Sequence, residues 1–327
     1  MKRFLLTALI LVALLTPAFA QSTTAAADAA DLTADVVSSG LIQAQLPWWG
    51  WALLLFGFTI ALGVIAVIGG VGGGVLFVPI VSAVFPFHFD FVRGAGLMVA
   101  LCGALSAGPI LLRRGLANMR LGWPLALFGS VGSVAGAFLG LALPTGIVEG
   151  LLGLAIMGIV VLMLVSSRSD FPAIDEADPV SRYLGIRSRY YDESLGRAVE
   201  WKVHRTPLAL ATYLAIGMIG GMFGLGAGWA NVPALNLLLG APLKVAVASS
   251  GFIMTINSTA AAWVYINRAA LLPLIAVPSV AGMMIGTRVG AQILPHVRAR
   301  IIRVIVVGLM ALAGLRSLVA GIMGVLS

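Results

Sequence analysis

The chain has 327 residues, of which 60% are hydrophobic and 10% charged, with a formal net charge of +8 and a mean hydropathy of +1.07. That balance excludes a soluble globular domain and describes an integral membrane protein. The excess of Lys and Arg, which would suggest nucleic acid in a soluble chain, reads here as membrane topology, and the single Cys102 excludes a disulfide framework or a cysteine metal cage.

Residues 1–20 carry Lys2 and Arg3, a short apolar core and Ala18-Phe19-Ala20, the pattern of a cleaved signal peptide. The alternative is an uncleaved first helix, but Phe4 to Leu15 is shorter than the about 20 residues that a span needs. Residues 21–47 hold Asp28, Asp31 and Asp35 without Lys or Arg, which suits an extracytoplasmic tail. Long apolar segments then run from Trp49 to Gly69, Gly94 to Leu112, Leu121 to Leu143, Ile147 to Val165, Pro207 to Phe223, Val245 to Ile266, Leu271 to Leu294 and Ile301 to Met323. Two pieces too short to span comfortably, Val75 to Phe85 and Ala230 to Gly240, each follow a glycine cluster.

Loop charge sets the sidedness, because Lys and Arg concentrate in the cytoplasm. If the chain is outside again by Pro86 to Arg93, then Arg113, Arg114 and Arg120, the basic residues of 167–206, Lys244, and Arg298, Arg300 and Arg303 all fall inside, against Arg93 and Arg268 outside. Each half then crosses an odd number of times, so the halves are expected to be inverted. Residues 48–166 form the first membrane repeat, 167–206 a cytoplasmic linker and 207–327 the second repeat, with the C-terminus outside. Within the linker, RSRYYDESLGRAVEWKVHRT alternates around a Ser-Leu-Gly turn and predicts a small hairpin.

The halves also resemble each other. Gly70–Pro79, GVGGGVLFVP, aligns with Gly224–Pro233, GLGAGWANVP, and Arg114 with Arg268; after a short slip Gly132, Gly136 and Gly140 align with Gly282, Gly286 and Gly290. The last two rows put a flat strip on one helix face, suited to close helix packing. The predicted fold is therefore an all-α membrane protein of two inverted-topology repeats. Each has three long spanning helices plus a glycine-broken helical hairpin or pair of shorter helices, about ten helical segments in all.

The glycine clusters do not match a nucleotide motif. Gly70-x-Gly72 is followed at the third place by Val75, Gly224-x-Gly226 by Trp229, and no Lys-Ser/Thr ends either copy. In lipid, irregular backbone is tolerated only where protein buries it or a cavity receives it. Gly72, Gly73 and Gly74, and in the second copy Gly226 and Gly228, therefore suggest helix starts whose N–H groups cradle an anion, with close helix packing as the alternative.

These paired segments, each ending in Val-Pro, together with the run Pro242 to Ser250 and the helix exit Tyr265-Ile266-Asn267-Arg268, resemble the sulfite exporter family TauE/SafE over roughly residues 50–323. The resemblance implies a bacterial inner-membrane transporter of small sulfur-containing anions such as sulfite or organosulfonates. Asn231, an amide in an apolar half-helix, is a candidate ligand contact, with a helix-to-helix hydrogen bond as the alternative; Ser250, Thr255, Asn257 and Ser258 follow on the next helix, where Ser250 and Asn257 share a face and Ser249 turns away. Trp229 could wall the site or merely pack. Arg288 lies deep in a span, a functional position unless it snorkels, and Arg93 either steers anions or makes a surface pair with Asp90.

Apart from Glu149, every carboxylate lies in the tail, a loop or the linker, so no acidic proton relay is visible. An anion leaves a negative-inside cell with about 2.3 kcal/mol per charge per 100 mV in its favour, so export is the expected direction. The expected partners are a small anionic substrate and the bilayer, not nucleic acid, and a homo-oligomer stays open. No cofactor, metal or enzymatic triad is expected; an anion channel, or a membrane carrier subunit handing the anion to an enzyme, is the alternative.

Overall fold

A computed structural model of the chain describes residues 47–69, 73–113, 117–165, 178–183, 186, 188–192, 197–226, 228–293 and 299–326. The signal segment, nearly all of the tail, Gly70, Gly72, Arg114, Arg168 and Arg298 lie outside the described residues. By its contacts the chain divides into Met1–Gly50 and Trp51–Ser327. Of the first, the described part is Pro47 with the opening turn of the first helix, where the Gly50 N–H donates to the Pro47 carbonyl at 2.8 Å.

Among its described residues the second unit is helical apart from one short hairpin. In chain order the elements are α1 (Trp48–Gly69), α2 (Gly73–Val84), α3 (Phe89–Arg113), α4 (Met119–Ala142), α5 (Thr145–Val165), α6 (Pro179–Tyr183), β1 (Ser188–Asp192), β2 (Arg197–Trp201), α7 (Thr206–Phe223), α8 (Gly228–Pro233), a π-turn (Ala234–Leu238), α9 (Leu243–Asn267), α10 (Pro273–Ile293) and α11 (Ala299–Leu326). Every expected apolar segment is helical. Among the described residues seven helices, α1, α3, α4, α5, α7, α9 and α10, are long and apolar enough to cross a membrane. Leu53, Leu127, Leu154 and Leu312 lie on exposed outer faces, where lipid rather than water is the natural solvent.

One boundary differs from expectation. The third helix begins at Phe89 rather than Gly94, because Phe91 and Val92 donate to the His88 carbonyl and Asp90 supplies a carboxylate to the first turn. Arg93 therefore lies within the helix.

The two glycine breaks make hairpins. Phe85, just past α2, packs edge-on against Trp51 and Phe58 of α1, with ring centroids 6.1 and 5.6 Å apart, so the end of α2 returns beside the first turns of α1. In the second half the His204 N–H, just before α7, donates to the Leu239 carbonyl at 3.3 Å, so the end of the π-turn returns beside the start of α7. Both short helices carry proline, Pro79 and Pro233, which removes a backbone donor; after Pro233 the helix leaves α geometry.

The two glycine rows act as the close-packing reading requires. A methyl on Gly132, Gly136 or Gly140 of α4 would strike the carbonyls of Leu214, Met218 and Met222 on α7. On α10 the same addition at Gly282, Gly286 or Gly290 would strike the backbone of Phe56, Ile60 and Val64 on α1. The third long element of each half thus lies against the first helix of the other, main chain to main chain. The last helices, α5 and α11, meet through Gly153 and Gly314 and through Gly150 and Gly321.

The linker forms the expected antiparallel hairpin, with Ser188 opposite Trp201 and Asp192 opposite Arg197. It does more than connect. Ile186, Trp201 and Val203 are buried in one apolar cluster with Leu235, Leu239 and Tyr213, so the linker packs under the π-turn. The Ser181 hydroxyl donates to the carbonyls of Val203 and Asp178, and the Thr206 hydroxyl to Asp178 Oδ1 at 2.9 Å.

Candidate functional site

The second glycine break follows from backbone conformation. Gly224 ends α7 at φ +70° and Gly226 follows at φ +66°, left-handed values that side-chain-bearing residues rarely adopt. The same glycines also permit contact. A methyl on Gly226 would lie 2.8 Å from Ala100 Cβ and 3.3 Å from Ser258 Oγ; one on Gly74 would lie 2.6 Å from the Leu225 carbonyl and 3.0 Å from that of Gly96. The start of α2 therefore lies against the second glycine segment, and α3 and α9 close on the same place. At Gly74 the close approach is to protein carbonyls. Gly73 faces the Met283 side chain at 2.9 Å.

Beside this crossing lie buried polar groups without protein partners. Asn231 on α8 is fully buried; its Nδ2 donates to the Ser250 carbonyl at 3.4 Å, and its Oδ1 has no partner. Asn257 on α9 is 1% exposed, and neither amide atom has a partner. Its amide rests on Gly129 of α4, where a side chain would collide with it. Ser258, also 1% exposed, has an unpartnered hydroxyl facing the Gly226 turn. The half-buried Trp229 buries an unpartnered indole N–H. Buried polar atoms are nearly always satisfied, so these orphans on α8 and α9 call for something that brings hydrogen bonds.

The other candidates behave differently. The hydroxyls of Ser250 and Thr255 donate at 2.9 Å to the carbonyls of Val247 and Gly251 on their own helix. Ser249 does turn away: its hydroxyl oxygen accepts from the Asn118 N–H, joining α9 to the start of α4. Gly228 opens α8 and is half-buried. Arg288 occupies an exposed position on α10, apart from the buried groups.

Arg93 is buried to 1% exposure, so a surface pair with Asp90 does not describe it. Nη2 pairs with Asp90, and Nη1 donates to the Gly140 carbonyl at 3.0 Å and the Met222 carbonyl at 2.9 Å. Its guanidinium also lies over the rings of Phe89 and Tyr265, at 4.9 and 5.8 Å. The Tyr265 hydroxyl donates to the carbonyls of Gly221 and Met222, 3.1 Å from each. Together these side chains cap the ends of α4 and α7, whose last carbonyls lack helical donors. The clasp was not foreseen; an Arg three residues after Asp in a helix-starting segment was its only trace. Gly129 was likewise not singled out, although it continues the face of Gly132 and Gly136.

Seven membrane-length helices among the described residues, two hairpins that touch where Gly74 meets the Leu225 carbonyl, and unpartnered amides beside that contact are the build of a multi-pass membrane transporter. The chain belongs to the sulfite exporter TauE/SafE family, whose model matches residues 53–317. It is 25% identical over 279 residues to the "Probable membrane transporter protein YunE" of Bacillus subtilis (strain 168), a match covering 82% of this chain and 98% of that protein. No solved structure matches at a significant level.

Proposed function

We propose that the protein is a secondary transporter or facilitator that exports small sulfur-containing anions, sulfite or sulfonates, across a bacterial inner membrane. The observation that carries this reading is the set of buried, unpartnered side chains Asn231, Asn257 and Ser258 beside the left-handed Gly224 and Gly226. Neutral side-chain dipoles, with the Asn257 NH2 and the Ser258 hydroxyl as the donors among them, hold an anion without the long-lived ion pair that a lysine or arginine would impose. The family supplies the class of substrate. Trp229 closes the site beside the glycines, and Gly73, Gly74, Gly226 and Gly228 keep the chain thin where the hairpins cross.

Two inverted repeats underlie the site in this reading. Supporting it, each hairpin returns to its starting side, which leaves three further crossings per half, and each half lays its glycine row on the first helix of the other. The N-terminal tail and C-terminus then lie outside and the linker inside.

Counterflow in proteoliposomes tests the function. Vesicles loaded with unlabelled sulfite should transiently accumulate labelled sulfite, and Asn257→Leu should abolish the overshoot while inserting normally. Equilibration without an overshoot supports the channel instead, and no sulfite flux at all defeats the proposal. A reporter at Ser327 should be extracytoplasmic and one at Pro179 cytoplasmic; a cytoplasmic C-terminus ends the inverted-repeat account.

A further inference from the structure

We infer that the site selects a monoanion that carries its own hydrogen-bond donor, such as hydrogensulfite or a hydroxylated sulfonate, over a fully deprotonated dianion. This rests on the sulfur-anion reading above and deepens it.

The argument is an inventory of hydrogen-bonding atoms. Asn231 presents its Nδ2 to the Ser250 carbonyl, and turning the amide over would set two oxygens face to face. Its Oδ1 is therefore the buried atom left without a partner, and an amide oxygen accepts but never donates. Asn257 leaves both amide atoms unpartnered, so whichever way it is turned it too presents an oxygen. Against these acceptors stand the Asn257 NH2, the Ser258 hydroxyl and the Trp229 indole N–H as donors. The set is mixed rather than purely donating.

An anion built only of acceptor oxygens answers the donors and leaves the amide oxygens of Asn231 and Asn257 facing further negative oxygen. A hydroxyl or N–H on the substrate converts one of those repulsions into a bond, and a site made to bond a donor rejects the analogue that lacks one. Charge points the same way. The four residues carry no cation, and both Nη atoms of Arg93 are taken, by Asp90 and by the carbonyls of Gly140 and Met222, which leaves its Nε alone unpartnered. One negative charge can be held by neutral dipoles in this low-dielectric place at far less cost than two.

The matched probes are hydroxyethanesulfonate and ethanesulfonate, equal in charge and differing by one hydroxyl, with sulfate as a dianion lacking a donor. Melting of the purified full-length chain in detergent is followed against concentration of each, every variant being compared with its own ligand-free state so that a general loss of stability cancels. Hydroxyethanesulfonate should act at concentrations about tenfold lower than ethanesulfonate, the difference one satisfied buried hydrogen bond makes. Asn231→Leu should shrink that ratio toward one, whereas Ser250→Ala, whose hydroxyl serves its own helix, should preserve it. Equal potency of the two sulfonates, or stronger action by sulfate, overturns this inference and leaves the sulfur-anion reading standing. No shift with any of the three overturns this inference, and no shift with sulfite either overturns the sulfur-anion reading as well.

Discussion

Replacing Arg93 by methionine keeps an unbranched apolar stem and removes the guanidinium. The change strands Asp90, which is 28% exposed, and leaves the Gly140 carbonyl without its 3.0 Å donor; the Met222 carbonyl still accepts from Tyr265. Removing one partner of a buried ion pair costs about 3–5 kcal/mol, and the part exposure of Asp90 places this case near the lower end. With about 1 kcal/mol for the orphaned carbonyl, the expected loss is about 4 kcal/mol, roughly a thousandfold in the folding equilibrium. Denaturant titration of the detergent-solubilised variant measures it. Asp90→Asn combined with Arg93→Met should cost clearly less than the two single changes added together, because the double variant has no buried charge left over. If Arg93→Met loses less than about 1 kcal/mol, or the two changes simply add, the clasp does not hold the ends of α4 and α7 as described.

Gly136→Ala should destabilise by about 1–3 kcal/mol, since its methyl lands on the Met218 carbonyl and backbone must move, while Gly57→Ala on the same assay should be neutral or slightly stabilising because nothing lies within 4 Å. An indifferent Gly136→Ala would refute the main-chain contact between α4 and α7. Trp201→Ala should cost about 3 kcal/mol or more by opening a void under the π-turn. It should also weaken sulfite binding, because Leu235 and Leu239 sit on the segment that follows Asn231; a variant that melts lower but binds unchanged would separate the linker from the site.

The membrane body was legible because its signals are long and local. Apolar runs of span length, glycine at every fourth position and the paired clusters each state a physical need that lipid imposes, and α1 to α5 and α7 to α11 lie where those runs lie. The linker hairpin was legible from its alternation. What escaped was what only tertiary contact decides. Ser249 and Ser250 are adjacent hydroxyls, yet one reaches Asn118 and the other its own helix. Arg288 reads as deeply placed by hydropathy yet occupies an outer face, since its rotation around α10 follows from which side the glycine row presents to α1. Arg93 fell at the edge of an apolar run and looked like loop; a helix start one turn earlier put it among carbonyls.

The central claim is that the substrate anion lies beside α9, where α8, the Gly226 turn and α4 approach it, against Asn231, Asn257 and Ser258. Selenite, a heavier relative of sulfite, can be located by its anomalous scattering in crystals of the protein. The account predicts one strong peak within hydrogen-bonding distance of the Asn257 amide, absent in Asn257→Leu; a peak confined to the exposed face of Arg288 or to the basic linker, with none at Asn257, would contradict it.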